Sequence, residues 1–269
     1  MANGPVQQWP EVRDISANDL VDIVGAGLND FRLAPKYGLF FASLYVAAGW
    51  LLMILLFYFG LPYLAYPLAM GFALVAPFAG VAFYSVSDKL EKGEPLSWGI
   101  VFQSIKDCLK RDVRWMALVT GFALVIWMDI AAFLFFGFMG FNGIGPDFFQ
   151  KLFMTPSGLM FVLLGNTAGA VIALTLFSIS VISFPMLYDR DVDFVTAMVT
   201  SVRLVIKNPF SMIAWCAFIG ILTVLSLLSA FIGFLVVLPV IGHASWHLYR
   251  KAVEPSVAAE PDTANAVSA

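Results

Sequence analysis

Long apolar runs dominate this sequence and leave few folds open to it. Hydrophobic residues make up 61% of its 269 residues and charged residues only 12%, whereas globular chains are roughly 45–50% apolar and about 25% charged. A soluble fold of this length could not bury so much apolar surface. We therefore predict an integral membrane protein that has the lipid bilayer as its main partner.

The lengths of these runs predict six membrane-spanning helices. A span needs ~20 apolar residues, so the block over 210–246 is long enough for two helices, with the turn between them at Gly233 or at Ser229–Ala230. Pro67 and Pro77 are expected to kink the second span. The predicted fold is all-α, a six-helix transmembrane bundle whose spans cover about residues 36–59, 61–84, 113–138, 159–184, 209–229 and 231–249.

The membrane domain is predicted to extend over residues 15–253. Residues 1–14 are polar and residues 254–269 are rich in Ala, Pro and Glu, so we expect both termini to be disordered. Between the second and third spans, residues 85–95 predict the first strongly polar loop.

The segment over 188–209 predicts a helix on the membrane surface. It begins with an acidic turn and ends at a hinge where Asn208 can cap the next helix and Pro209 suits its first turn. Between them an apolar and a polar face alternate at helical spacing, as in helices that lie in the headgroup plane. The apolar face comprises Val195, Met198, Val199, Val202, Val205 and Ile206, and the polar face Thr196, Thr200, Arg203 and Lys207.

Two weaker copies of this helix precede the first and third predicted spans. Ser16 or Asn18 can act as the N-cap of the first copy. Aligning the three copies places Phe31, Cys108 and Val205 in register. We therefore predict three hairpins, each preceded by a cytoplasmic interfacial amphipathic helix. The apolar faces comprise Val21, Val24, Leu28 and Phe31 in the first copy, and Trp98, Val101, Phe102, Ile105, Cys108 and Leu109 in the second.

The positions of the basic residues predict the orientation in the membrane. All Lys and Arg residues except Lys151 fall on the same side of the predicted spans, and an excess of Lys and Arg marks the cytoplasmic side. We predict a multi-pass protein of the bacterial cytoplasmic (inner) membrane with both termini in the cytoplasm, as an even number of spans requires.

Asp129 is the only acidic residue well inside a predicted span. An ionisable group in the hydrocarbon is costly and commonly functional. At the rise of a helix, it lies ~13 Å from the outer end of span three, and Asn166 and Thr167 lie ~10 Å from the outer end of span four, so these groups could share hydrogen bonds. Three interpretations remain open: a proton or cation relay, a protonated packing contact, and a position near the interface if the span ends early.

His243 and His247 are four residues apart and share a face of the last predicted span. With Cys216 at a similar depth in span five, a Cys/His/His metal site is conceivable. The zinc-protease pattern needs a Glu directly after the first His, however, and Ala244 stands there. His and Trp residues at a helix end more often anchor the interface, so we predict no metal and no cofactor.

Two further patterns have both a structural and a functional interpretation. Gly165 and Gly169 form a GxxxG motif, which favours close packing inside the bundle or, alternatively, a homodimer. The acidic cluster over 189–193 can cap the surface helix or bind a basic patch of a partner. The sequence contains no Gly-rich phosphate loop, nucleophile elbow or paired carboxylates, so we predict neither enzymatic activity nor nucleic-acid binding.

Three segments resemble those of a known family. They are GVAFYSVSDKLEKGEPLSW at 80–98, FPMLYDRDVDFVTAMVTSVRLVIKNP at 184–209 and PVIGHASWHLYRKAV at 239–253. The chain resembles, roughly over 15–253, an uncharacterised bacterial family of integral membrane proteins, domain of unknown function 2189. Some members are labelled cytochrome c oxidase subunit I, but two histidines cannot supply the six-histidine haem and copper ligation of that subunit. The resemblance implies a membrane protein without assigned catalysis, and it supplies no functional residues.

These observations lead us to expect a non-catalytic accessory or scaffold protein of a membrane complex, with other subunits of that complex as partners. The alternative is a small transporter or channel that uses Asp129.

Overall fold

A computed structural model of the chain describes residues 10–61, 64–73, 76–110, 113–140, 145 and 147–254. Over these ranges the predicted all-helical fold is confirmed, because the described residues form helices joined by turns and no strand. The helices are α1 Ala17–Leu33, α2 Pro35–Tyr58, α3 Ala65–Ala73, α4 Ala76–Glu91, α5 Trp98–Lys110, α6 Val113–Met139, α7 Phe148–Met154, α8 Pro156–Ser180, α9 Ser183–Asp189, α10 Phe194–Lys207, α11 Pro209–Leu228 and α12 Phe234–Ala252.

Five helical segments among the described residues are long and apolar enough to cross a membrane. They are Pro35–Tyr58, Ala65–Glu91, Val113–Met139, Pro156–Asp189 and Pro209–Leu228. The sixth predicted span, at 231–249, corresponds to α12 and is not among them. The second half of α12 carries histidine, serine and basic side chains, which lower its apolar content.

Helix α12 instead forms the centre of the bundle. It packs along α1, α2 and α4, and it buries Trp246, Leu248 and Tyr249 almost completely. Its polar residues can be buried because the neighbouring helices supply hydrogen-bond partners. Burial against protein, more than contact with lipid, therefore determines the composition of this helix.

Helix α4 is longer at its C-terminal end than we predicted from the apolar run. It continues to Glu91, so residues 85–91 are helical and the predicted polar loop is confined to the residues that follow. Ser87 and Asp88 are buried. Pro67 lies in the first turn of α3, where the missing N–H has no intrahelical partner to lose. Pro77 follows residues 74–75, which lie outside the described residues.

The faces with which the amphipathic helices α1 and α10 pack overlap only in part with the apolar faces expected, since Val24, Met198 and Val205 contact the core. The buried positions of α1 are Ile23, Gly27 and Asp30, whereas Val21 is exposed. Helix α10 packs against α8 and α9, buries Leu204 together with the small or polar residues Thr196, Ala197, Thr200 and Ser201, and leaves Ile206 exposed. We predicted both faces from apolar residues alone, but close packing between helices also favours small side chains.

The helix starts follow the predicted capping residues. Ser16 caps α1 in a capping box with Asp19, and the Asp193 carboxylate accepts the amide of Thr196 at the start of α10. Asn208 precedes α11, as predicted, but its side chain does not cap that helix. Its Oδ1 atom accepts the amide of Ile15 at 2.7 Å, which ties the N-terminal segment to the hinge between α10 and α11.

The first and the last described residues of the chain meet at the end of α12. Residues 10–14, which we expected to be disordered, lie beside this end: Val12 pairs with Val253, and the amide of Arg13 donates to the carbonyl of Ala252 at 2.8 Å. The remaining residues of the predicted disordered segments, 1–9 and 255–269, lie outside the described residues.

Candidate functional site

A buried polar cluster lies where α1, α4 and α12 meet. This cluster can form because α1 lies very close to α12. A Cβ atom placed on Gly27 would lie only 2.6 Å from the backbone nitrogen of Ala244. One turn further along α1, Asp30 faces α4 and α12 and is 7% exposed. Ser87 of α4 and His243 of α12 are completely buried beside it.

Hydrogen bonds connect the four side chains of the Asp30 cluster, which comprises Asp30, Ser87, His243 and His247. The Ser87 hydroxyl donates to Oδ2 of Asp30 at 2.7 Å and lies 2.8 Å from Nδ1 of His243. Nε2 of His247 lies 2.8 Å from the same Asp30 oxygen. The cluster thus joins three helices through side chains that are far apart in sequence.

The geometry fixes the positions of the protons. An ionised carboxylate can only accept, so Ser87 gives its single proton to Asp30 and accepts one from Nδ1 of His243. Nε2 of His247 must carry the proton that it shares with Asp30. Burial lowers the pKa of His243 to about 4, so its ring is neutral and Nε2 is unprotonated. Nε2 has no hydrogen-bond partner among the described residues.

Hydrogen bonding keeps Asp30 ionised despite its burial. Burial raises the pKa of this carboxyl, but the hydrogen bonds from His247 and Ser87 outweigh that effect and hold the pKa below its ordinary value of 3.8. The cluster can therefore hold a buried carboxylate. Ser87 cannot act as a nucleophile on a substrate in this conformation, because its hydroxyl is inaccessible.

The arrangement differs from the conceivable Cys/His/His site. His243 and His247 do share a face of α12, but they bond to Ser87 and Asp30. Cys216 lies half-buried on α11, outside the Asp30 cluster. In the part of the chain that the structure describes, no three His, Cys, Asp or Glu side chains are placed to hold a metal ion.

A second polar layer continues from the Asp30 cluster toward the end of α12. Glu91 accepts from the indole of Trp246 at 2.9 Å and from the guanidinium of Arg250 at 2.9 Å. Tyr249 donates to Asp189 at 2.6 Å and accepts from Arg190 at 2.8 Å. Asp189, which belongs to the predicted acidic cluster, thus holds α9 against α12.

Sequence reasoning missed Asp30 and Ser87. Ile23, Gly27 and Asp30 are separated by four and then three residues, which places them on one helix face. A carboxylate on the same face as an isoleucine and a glycine was the available signal. Ser87 had no comparable signal, because its partners are 57 and 156 residues away.

Asp129 lies on the outer surface of α6. The residue is exposed, and it makes no hydrogen bond or ion pair with any other described residue. Asn166 and Thr167, with which we expected it to share hydrogen bonds, bond elsewhere. Asn166 accepts from the hydroxyl of Tyr66 at 3.0 Å, and Thr167 donates to the carbonyl of Leu163 at 2.8 Å.

The most exposed large apolar side chains of α6, together with Asp129, form a continuous row along the helix. They recur every three or four residues, which places them on one face. The row runs along most of α6, and Asp129 interrupts it with the only charge in the row. We call this surface the α6 row; it comprises Leu118, Phe122, Val125, Asp129, Phe133 and Phe136.

The two glycines of the GxxxG motif have separate environments. A Cβ atom on Gly169 would lie 3.1 Å from the ring of Trp127 on α6, so this glycine permits the close packing of α8 on α6. Nothing lies within 4 Å of a Cβ atom on Gly165. Gly165 lines an apolar cavity between the same two helices.

Comparison with known proteins supports the resemblance for the middle of the chain. A family model described as a predicted integral membrane protein, domain of unknown function 2189, matches residues 65–189. This range includes the first resembling segment and the start of the second, and the third lies outside it. No curated protein and no solved structure matches the chain.

Proposed function

We propose that this integral membrane protein is a non-catalytic accessory or scaffold subunit of a membrane complex, and that the α6 row binds a transmembrane helix of another subunit. The observation that supports the proposal is the exposed carboxyl of Asp129. The partner helix would carry a basic residue or another hydrogen-bond donor opposite it.

The cost of exposing Asp129 to lipid supports a protein partner. An acidic residue at the centre of a transmembrane helix costs about 2.5–3.5 kcal/mol on insertion scales. A donor on a neighbouring helix would offset much of this cost. The three- and four-residue spacing of the α6 row is also the spacing with which one helix packs against another.

The alternative, a transporter or channel that uses Asp129, has less support from the geometry. Ionisable residues of transport pathways face the bundle interior or a water-filled cavity. Asp129 faces outward from the described bundle instead. A transport role would need a second protein to complete the pathway around this carboxyl.

Photo-crosslinking tests whether a partner helix contacts the α6 row. We expect a photoreactive amino acid at Val125 to form a specific adduct in membranes, whereas one at Ile213 on α11 should not. Both side chains are 56% exposed, so the two positions have the same access to lipid. Asp129→Leu should abolish the Val125 adduct and Asp129→Asn should retain part of it, because the amide still forms hydrogen bonds.

Two results would contradict the accessory role. One is an equal adduct at the two positions. The other is a Val125 adduct that persists in Asp129→Leu. If Asp129→Asn abolishes ion or substrate flux in vesicles that contain the purified protein, the transporter alternative gains support.

The inner-membrane orientation has its own test. In a variant without Cys108 and Cys216, we introduce a cysteine at Lys151 or at Glu94, whose side chains are 43% and 46% exposed. A membrane-impermeant maleimide should label intact spheroplasts at 151 only, because basic loops remain in the cytoplasm. Labelling at 94 but not at 151 would reverse the proposed topology.

A further inference from the structure

An apolar cavity of about 500 Å³ lies between α6 and α8, with α3 and α7 beside it. Exposed side chains of Tyr66, Phe149 and Phe153 line its mouth, and Trp127, which is 7% exposed, lies deeper on α6. We propose that this cavity binds one acyl chain of a membrane phospholipid.

The dimensions of the cavity match a single chain. Along α6 its lining extends from Trp127 to Phe136, which is about 13 Å at the rise of a helix. One leaflet of the hydrocarbon core is about 15 Å thick, half of the ~30 Å core. The cavity therefore has the length that an acyl chain needs within one leaflet.

A single flexible hydrocarbon chain fits this volume without moving α6 or α8. A helix from a second polypeptide is the other occupant, and the experiment below distinguishes the two.

A polar pair in the lining is hydrogen-bonded within the protein. Tyr66 donates its hydroxyl proton to Oδ1 of Asn166, and Nδ2 of Asn166 donates one of its two protons to the carbonyl of Val162 at 2.8 Å. The other described residues of the lining are apolar or aromatic, which suits a hydrocarbon chain.

Gly165 allows the cavity to be filled without disturbing the backbone. Its Cβ position is open and its backbone is helical, so a side chain there extends into the cavity. Gly220 on α11 is a matched control, because its Cβ position is also open and it lies in a helix away from the cavity.

The experiment uses the full chain in vesicles of phosphatidylethanolamine and phosphatidylglycerol. A trace of phosphatidylethanolamine carries a photoreactive diazirine near the end of one acyl chain. After irradiation, adducts are mapped by mass spectrometry of peptides from 127–136 and 161–166. We expect adducts there to exceed those on the exposed face of α11, and to persist after the protein is washed with detergent.

Filling the cavity should remove this labelling selectively. Gly165→Phe should lose most adducts in both peptides, whereas Gly220→Phe should retain them. Ala131→Phe, from the opposite wall, provides a second variant if Gly165→Phe does not purify as a monodisperse protein. Labelling no greater than on α11, or unchanged by both cavity variants, would overturn the proposal. So would protein–protein adducts from the cavity, because they indicate a second polypeptide as the occupant.

Discussion

Replacing Gly27 by Ala is expected to lower the free energy of unfolding by about 1–3 kcal/mol or more, the usual cost of overpacking a well-packed interface. The new Cβ atom would lie 2.6 Å from the nitrogen of Ala244 and 2.7 Å from the carbonyl oxygen of Val240. Both are backbone atoms and cannot rotate away. The strain can be relieved only if α1 moves away from α12, and that movement would also separate Asp30 from His247.

Gly25 provides the control for this prediction. It lies on the same helix two residues away, but nothing lies within 4 Å of its Cβ position. Because alanine stabilises a helix interior by up to about 1 kcal/mol relative to glycine, Gly25→Ala should be neutral or stabilising. Thermal unfolding in detergent, followed by circular dichroism, measures both variants. Similar unfolding temperatures for the two would show that α1 does not pack closely on α12.

Helix starts could be predicted from the sequence because the responsible residues are local. Ser16, Asp193 and Pro209 act on backbone groups within one turn of their own position, so neighbouring sequence contains all the information needed. The turn after α11 was also predicted, at Gly233 or at Ser229–Ala230. Its backbone conformation was not predicted, because Ala230 and Phe231 adopt positive φ there and an apolar sequence does not indicate this.

The role of α12 could not be predicted in the same way. Its apolar content resembles that of a weak span, and it forms the centre of the bundle because α1, α2 and α4 surround it. The same limit applies to the Asp30 cluster, since Asp30 and His247 are 217 residues apart. Hydropathy identifies which segments avoid water, but not which segments pack against one another.

The environment of Asp129 illustrates a related limit. Its depth in the span was predicted from residue count, and depth suggested Asn166 and Thr167 as partners. The direction in which a side chain points depends on the rotation of α6, which is set by contacts such as Trp127 with Gly169. Trp127 faces the bundle, so Asp129, two positions along the helix, faces outward.

Removal of the Asp30 carboxylate is expected to have the other large effect on stability. Asp30→Ala leaves the buried hydroxyl of Ser87 without its acceptor and His247 without its carboxylate. Because leaving a buried polar group without its partner costs about 1–3 kcal/mol, and both Ser87 and His247 lose theirs, we expect a loss of about 3 kcal/mol. Asp30→Asn should lose less, because the amide oxygen can still accept from Ser87. Unfolding by heat in detergent measures both losses.

The loss in Asp30→Asn should depend on pH in a defined direction. The folded-state pKa of Asp30 lies below its ordinary value of 3.8, because hydrogen bonds from His247 and Ser87 overcome the effect of burial. The carboxylate therefore contributes stability above pH ~4, and this contribution is lost as the pH falls through the folded-state pKa. Asp19, whose pKa the hydrogen bond with Lys251 lowers to about 2, titrates in both proteins and cancels in the comparison. As the pH falls through the folded-state pKa of Asp30, the stability difference between the wild type and Asp30→Asn should narrow. A difference that does not narrow in this acidic range would contradict the ionised Asp30 on which the cluster depends.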